Sequence, residues 1–306
     1  MIPTSLTHAR FWAKVAIEAA KGWSRHNAFQ HAAALAFYTL FSMAPILILV
    51  VAAAGMFFGQ EQARGEIVAE LETMIGEEGA VAVETAIARS GLEDTGYFST
   101  AVGVLLLLVG ATTVFGQLQQ SMNDVWNVTP KPTRSTFREL IKTRILSLTL
   151  VLTIGFLLLV SLVLSTAVSA IIRFADDRIP IPAGLLSGAD LIVSLMVITL
   201  LFGMIFRILP DVQIGWRDAA KGSLVTAVLF IIGKSGISFY LSHTGTASAY
   251  GAAGSLVVVL LWVYYSSLIL LYGAEFTRAY VEATGRIVLP KKTAVKVRQQ
   301  ILEETE

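Results

Sequence analysis

Apolar positions in this chain come in long unbroken runs separated by short polar connections, a pattern that neither alternates as strands do nor makes a single stripe as soluble helices do. The runs cover about Ala32–Phe58, Thr100–Leu118, Ile145–Ile172, Ala189–Leu209, Leu224–Leu241 and Ala252–Ala274. Each comes near the roughly 20 residues that a helix needs to cross about 30 Å of hydrocarbon. The pattern predicts an all-α polytopic membrane bundle of six transmembrane helices over residues 32–276, with residues 1–31 before it and a charged tail, 277–306, after it.

The polar stretches have their own periodicity. In the first, Trp12, Ala16, Ala19 and Trp23 recur at helical spacing among Arg10, Lys14, Lys21 and Arg25. That suits an amphipathic helix lying in the membrane interface, or equally a short helix packed on the ends of the spans. No compact apolar core follows a short basic head, so a cleavable signal peptide is not expected. The long loop, residues 59–98, is strongly acidic, and Ile67, Leu71 and Ile75 at i, i+4 and i+8 predict an amphipathic helix within it. Its carboxylates lack the spacing of an EF-hand, and a solvated acidic face is the expectation.

Composition agrees. Of 306 residues, 55% are hydrophobic and 15% charged, and mean hydropathy is +0.69, against about 25% charged residues in an ordinary soluble domain. With no cysteine, disulfides, thiolate metal sites and cysteine nucleophiles are excluded. No cofactor and no metal are expected. The four histidines, His8, His26, His31 and His243, are dispersed and fall on opposite sides of the predicted membrane, which offers no converging ligand set for a metal-dependent nuclease. Gly233-Lys234-Ser235 lacks the earlier glycine of a P-loop and lies inside a span, so ATPase chemistry is not expected. The reading is of a non-enzymatic protein.

Net charge of +1 says little, but its distribution orients the chain. Arg10, Lys14, Lys21 and Arg25, then Lys131, Arg134, Arg138, Lys142 and Arg144, then Arg207, Arg217 and Lys221, and finally the basic tail fall on one side. The other side holds only Arg64, Arg89, Arg173 and Arg178. Both termini are therefore expected in the cytoplasm.

This orientation separates the candidate functional residues into two groups. Lys234, flanked by Gly233 and Gly236 inside the fifth span, sits about 10 Å below the outer boundary at 1.5 Å per residue, with Asp190 as its nearest predicted partner. A cation beside two glycines is suited to an anionic headgroup where the helix backbone loosens. Near the inner face, Glu275 shares its level with Arg207, Gln117, Asn123 and Tyr38. Arg207 suits a charge anchor better than a substrate ligand. Pro45, inside the first span, removes a backbone donor and predicts a kink that would serve as a hinge. Trp262, Tyr264 and Tyr265 lie near mid-span and are expected in core packing. The structural alternative for all the polar groups is interhelical hydrogen bonding worth about 1 kcal/mol each.

Residues Ala34-Leu35-Ala36-Phe37-Tyr38-Thr39-Leu40-Phe41-Ser42-Met43-Ala44-Pro45 look like the first-span signature of the YihY/BrkB family of bacterial inner-membrane proteins. Leu209-Pro210, Tyr250-Gly251-Ala252, Leu261-Trp262-Val263-Tyr264-Tyr265 and Gly273-Ala274-Glu275 are similar to its other recurrent segments, so the resemblance covers about residues 11–282. It implies six spans with cytoplasmic ends but no settled activity. Members have carried labels of virulence or serum-resistance factor, some relatives are linked to export of envelope lipids, and an older label is ribonuclease BN, which these residues do not support.

The leading expectation is therefore an inner-membrane transporter or flippase-like protein for an amphipathic or anionic envelope molecule, a lipid included. The alternative is an interaction or scaffold protein of envelope assembly whose acidic loop or basic tail, folded as a helix over Lys291–Arg298, docks partners. Membrane lipids are expected partners in either case, and nucleic acid is not.

Overall fold

The computed structural model describes residues 4–59, 61–62, 64–69, 72, 80–81, 84–85, 113–131, 183–244 and 254–297. The predicted third span, most of the second span and the acidic loop, and residues 298–306 lie outside the described residues. Six long helical stretches are present among them: α1 (Thr4–Arg25), α2 (Ala28–Phe58), α3 (113–125), α4 (Ala183–Ile208), α5 (Trp216–Thr244) and α6 (Gly254–Ala283). Residues 64–69 of the acidic loop are also helical, and Arg64 pairs with Glu84 at 3.2 Å.

Three helical windows among the described residues are long and apolar enough to cross a membrane: Leu191–Ile208, Trp216–Ile237 and Leu256–Ala283, with mean hydropathies of 2.5, 1.4 and 2.1. They fall on the predicted fourth, fifth and sixth runs. α5 starts earlier than its apolar run and α6 continues beyond its own, because the extra turns have partners. Asp218 pairs with Arg286, and the Lys221 ammonium reaches the Tyr280 hydroxyl while lying 4.5 Å from the ring centroid. α2 covers the first predicted span and carries Pro45 within it.

Helices α1 and α2 are separated by Asn27, whose φ of 51° lies in the left-handed region that Asn tolerates better than most residues. Its carbonyl then accepts from the Gln30 and His31 amides, 2.9 and 3.1 Å, to start α2. Of the two expectations for α1, packing is the one found. Val15 and Ala19 are buried, and Trp12 lies flat against Phe276 and Tyr280 of α6, with interplanar angles of 2° and 7°. The Trp23 indole N–H donates to the Leu268 carbonyl at 3.1 Å, and the Tyr272 hydroxyl to the Ala16 carbonyl at 3.3 Å.

A close helix contact is the crossing of α5 and α6. On α5, Gly222 and Thr226 are four residues apart and so share a face; Gly273 and Thr277 do the same on α6. The pairs interlock reciprocally, Thr277 over Gly222 and Thr226 over Gly273. A Cβ on Gly222 would strike the Thr277 hydroxyl and lie 2.9 Å from its Cβ, and one on Gly273 would strike the Thr226 hydroxyl and lie 2.8 Å from its Cβ. Each hydroxyl is satisfied within its own helix, Thr226 Oγ1 donating to Gly222 O at 2.7 Å and Thr277 Oγ1 to Gly273 O at 2.8 Å. The hydroxyls are therefore buried without cost while small residues let the backbones approach.

The helices are not the whole architecture. β1 (Val128–Pro130) and β2 (Ala294–Lys296) pair antiparallel, with Val128 opposite Lys296 and Pro130 opposite Ala294. Gln213 N donates to Leu289 O at 2.9 Å, and Lys291 N to Asp211 O at 2.8 Å. The helix expected over Lys291–Arg298 is thus replaced at 294–296 by a strand. Pro290 cannot donate to a helical ladder, and β-branched Val295, opposite Thr129, and Val297, whose amide donates to the Asn127 carbonyl at 2.8 Å, favour pairing.

Filling the α5–α6 contact should be costly. Gly222→Ala and Gly273→Ala are each expected to lower unfolding stability in detergent by about 1–3 kcal/mol, the usual cost of overpacking. The double variant should lose less than the sum, because both changes open one crossing. Gly236→Ala, with open space around its Cβ, should be nearly neutral in the same thermal melts.

Candidate functional site

Glu275 lies between Gly273 and Thr277 in sequence. Two residues along a helix is about 200° of rotation, so with Gly273 and Thr277 turned to α5, Glu275 faces the other way, toward α1. There its side chain is 1% exposed. Gly22 of α1 makes room for it, since a Cβ at that position would come within 2.9 Å of the carboxyl carbon.

Two groups compensate the buried carboxylate. His26 Nδ1 lies 2.5 Å from Glu275 Oε1, and Arg278 Nε lies 3.7 Å from Oε2. The other imidazole nitrogen, Nε2, faces the Asn127 amide nitrogen at 3.3 Å and Arg278 Nη1 at 3.4 Å, both donors. Nε2 must therefore accept, which places the ring proton on Nδ1, donating to Glu275. Arg278 also donates through Nη1 to the Val125 carbonyl at 2.9 Å and pairs with Glu282 at 3.4 Å. Glu275 Oε2 has no hydrogen-bond donor among the described residues.

A second histidine extends the cluster. His31 Nε2 lies 3.3 Å from Asp124 Oδ2, and its Nδ1 faces Ser121 Oγ at 3.1 Å and the Gln117 amide nitrogen at 3.5 Å. Burial pushes the Asp124 carboxyl above its ordinary value of 3.8, and the opposing pull of His31 and then His26 is smaller. The result is two neighbouring polar groups, Glu275 with His26, Arg278 and Asn127 at the α1–α2 turn, and Asp124 with His31, Ser121 and Gln117 between α2 and α3, His26 acting on Asp124 only through its field. Among the described residues no three of these side chains converge closely enough to hold a metal ion.

The sequence pattern of the BrkB virulence-factor family matches residues 19–296. The chain belongs to that family. Its relatives include UPF0761 membrane proteins of Alkalilimnicola ehrlichii (28% identical, 88% of this chain and 59% of that protein), Mannheimia succiniciproducens (28%, 81% and 83%) and Nitrosospira multiformis (31%, 82% and 57%). The chain thus spans under two thirds of the first and third of these and most of the second. No solved structure matches it.

Of the residues singled out in this BrkB-family sequence, Glu275 falls in the first polar group and Gln117 in the second. Asn123 is buried next to it but bonds elsewhere, its amide donating to Asp211 Oδ2 at 3.0 Å and accepting from the Asp211 amide at 2.8 Å. Arg207 stands apart, its guanidinium 4.2 Å from the centre of the Trp216 ring. Tyr38 is half-buried beside Phe37. Lys234 is half-buried and has no hydrogen-bond or ion-pair partner among the described residues. The side chains of Asp190 and Pro45 lie outside them.

Two expectations change. α5 stays helical through Gly233-Lys234-Ser235-Gly236, so the backbone is not loosened there. Gly233 instead packs against Tyr265, which a Cβ would approach to 2.6 Å; Trp262 likewise meets Phe230 edge-on, ring centroids 6.0 Å apart. The histidines are not all dispersed either. His26 and His31 flank the α1–α2 break, and two histidines five residues apart around an asparagine, just before an apolar run, were the available signal. Arg278 was hidden among the tail charges.

The raised Asp124 value has a definite sign. A carboxyl that holds its proton more tightly when folded contributes stability that is complete below the ordinary value of 3.8 and is lost as pH rises through the folded value. Thermal unfolding of wild type and Asp124→Asn, scanned from about pH 3.5 to 6, should therefore show wild type losing stability relative to the variant as pH rises. A constant difference across that window would contradict the assignment.

Proposed function

We propose that this BrkB-family chain is a six-span inner-membrane protein, both termini cytoplasmic, that moves an amphipathic or anionic envelope molecule across the bilayer without enzymatic chemistry. The observation that carries the reading is the buried Glu275 carboxylate, set at one end of a helix long enough to span the membrane and held by His26 of the α1–α2 turn and by Arg278 of α6. Ionisable groups at such positions are expensive and most often serve substrate or ion pathways. Support also comes from Lys234, a cation on α5 without a partner among the described residues, at a level that the charge distribution puts near the opposite face.

The scaffold reading draws on the acidic loop or the basic tail. Against it, the segment up to Val297 is tied by main-chain hydrogen bonds to residues 127–131 and 211–213, which uses its backbone internally rather than offering it to a partner. Within the tail, residues 298–306 remain the part that this reading would need.

Proteoliposomes containing a fluorescent anionic phospholipid test the proposal. Lys234→Ala should lower the rate of movement between leaflets by roughly tenfold, the equivalent of 1.4 kcal/mol of lost interaction, with folded yield unchanged. Deleting residues 298–306 should leave the rate intact. Unaltered flux in Lys234→Ala together with loss of the cellular phenotype in the deletion would favour the scaffold.

A further inference from the structure

Between α4 and α5 lies an open cavity of about 390 Å³ whose walls include Ile192, Met196, Leu200, Trp216, Ala220 and Leu224. We propose that this groove binds one acyl chain of an anionic phospholipid, with the headgroup held at its mouth by Arg207 and Arg217. The inference rests on the transmembrane reading of α4 and α5 and is independent of whether the chain transports anything.

The groove is the seam of a helical hairpin. α4 and α5 meet closely at Gly203, where a Cβ would lie 3.3 Å from the Ser223 hydroxyl, and both residues form part of the groove wall. Ile192, Met196, Leu200 and Leu224 are 62, 66, 46 and 47% exposed, so this face meets hydrocarbon rather than another described helix. From Ile192 to Gly203 the rise along α4 is about 16 Å, close to half of a hydrocarbon core about 30 Å thick. That is the depth of one leaflet and of one chain.

The charge at the mouth selects the headgroup. Arg207 ends α4 and Trp216 begins α5, with the guanidinium 4.2 Å from the centre of the Trp216 ring. Trp216 is 49% exposed, an amphipathic ring at the depth where tryptophans collect in bilayers. Arg217 follows, exposed. Neither arginine has a carboxylate partner among the described residues, because the nearby Asp218 is taken by Arg286 and the nearby Asp211 by Asn123. A phosphate bearing net negative charge would satisfy both, in the bidentate manner arginine favours, whereas a zwitterionic headgroup brings a cation to the same place.

Trp216 lines the groove and so reports its occupant. The protein is placed in phosphatidylcholine vesicles containing either phosphatidylglycerol or phosphatidylcholine brominated on the acyl chain. The Trp216 signal is taken as the difference between wild type and Trp216→Phe. Brominated phosphatidylglycerol should quench it several-fold more than brominated phosphatidylcholine. Arg207→Gln should abolish that preference, and Ala220→Phe, a change at an exposed position that fills the groove, should reduce quenching by both lipids. Should Arg207→Gln lose folded yield, the Ala220→Phe arm and the two-lipid comparison still decide. Equal quenching by both lipids in wild type would mean contact with bulk lipid only, and absence of quenching would mean that protein, a second copy included, covers the groove; either result overturns the proposal. Because none of these signals reads flux, a failure here leaves the transport reading standing, and the reverse holds too.

Discussion

The interlocked crossing of α5 and α6 is the constraint on which the rest of the structure depends. Gly222 with Thr226 and Gly273 with Thr277 bring two backbones together at one level, and the pitch of the helix then decides what the opposite face of α6 carries. Glu275, halfway around, is turned toward α1. The same crossing holds Lys221 against Tyr280 and Asp218 within reach of Arg286, which ties the start of α5 to the end of α6 and its following chain.

A buried carboxylate at that position is a liability unless it is paired, since removing one partner of such a pair leaves an uncompensated charge. Gly22 admits it, His26 donates to it from the α1–α2 turn, and Arg278 lies one helical turn along α6. The pairing explains why α1 packs on α6 instead of lying free in the interface. It also explains the break at Asn27, which returns the chain at the point where His26 and His31 can face Glu275 and Asp124. In the BrkB family reading, this node and Lys234, which has no partner among the described residues, are two places where an ionisable group sits in a helix of spanning length.

Spans and helix faces were legible in the sequence because hydrophobic length is a local property. The fourth to sixth apolar runs reappear as α4 to α6, and the first as α2. Glu275 was legible as an anomaly in an apolar run, but its partners were not. His26 is 249 residues away in the chain, and only its place beside Asn27 and His31 distinguishes it from His8. The Gly222–Thr226 and Gly273–Thr277 pairs are readable as small residues four apart, yet which pair meets which is set by the crossing alone. The tail misled for a different reason: its charges, Lys291, Lys292 and Lys296, suggest a solvated helix, whereas Pro290 and the β-branched Val295 and Val297 decide for a strand against Thr129. Lys234 was expected in a loosened helix because glycines flank it, and Gly233 turns out to serve Tyr265.

The central claim is that the Glu275–His26 contact joins the α1–α2 turn to α6. A double-mutant cycle on unfolding in detergent, with His26→Ala, Glu275→Gln and the double variant, measures that contact directly. The account predicts a coupling of about 1–3 kcal/mol, because each single change strands a buried partner and the double change strands neither. Effects that add to within about 0.5 kcal/mol would contradict it and would leave α1 held by its aromatic contacts alone.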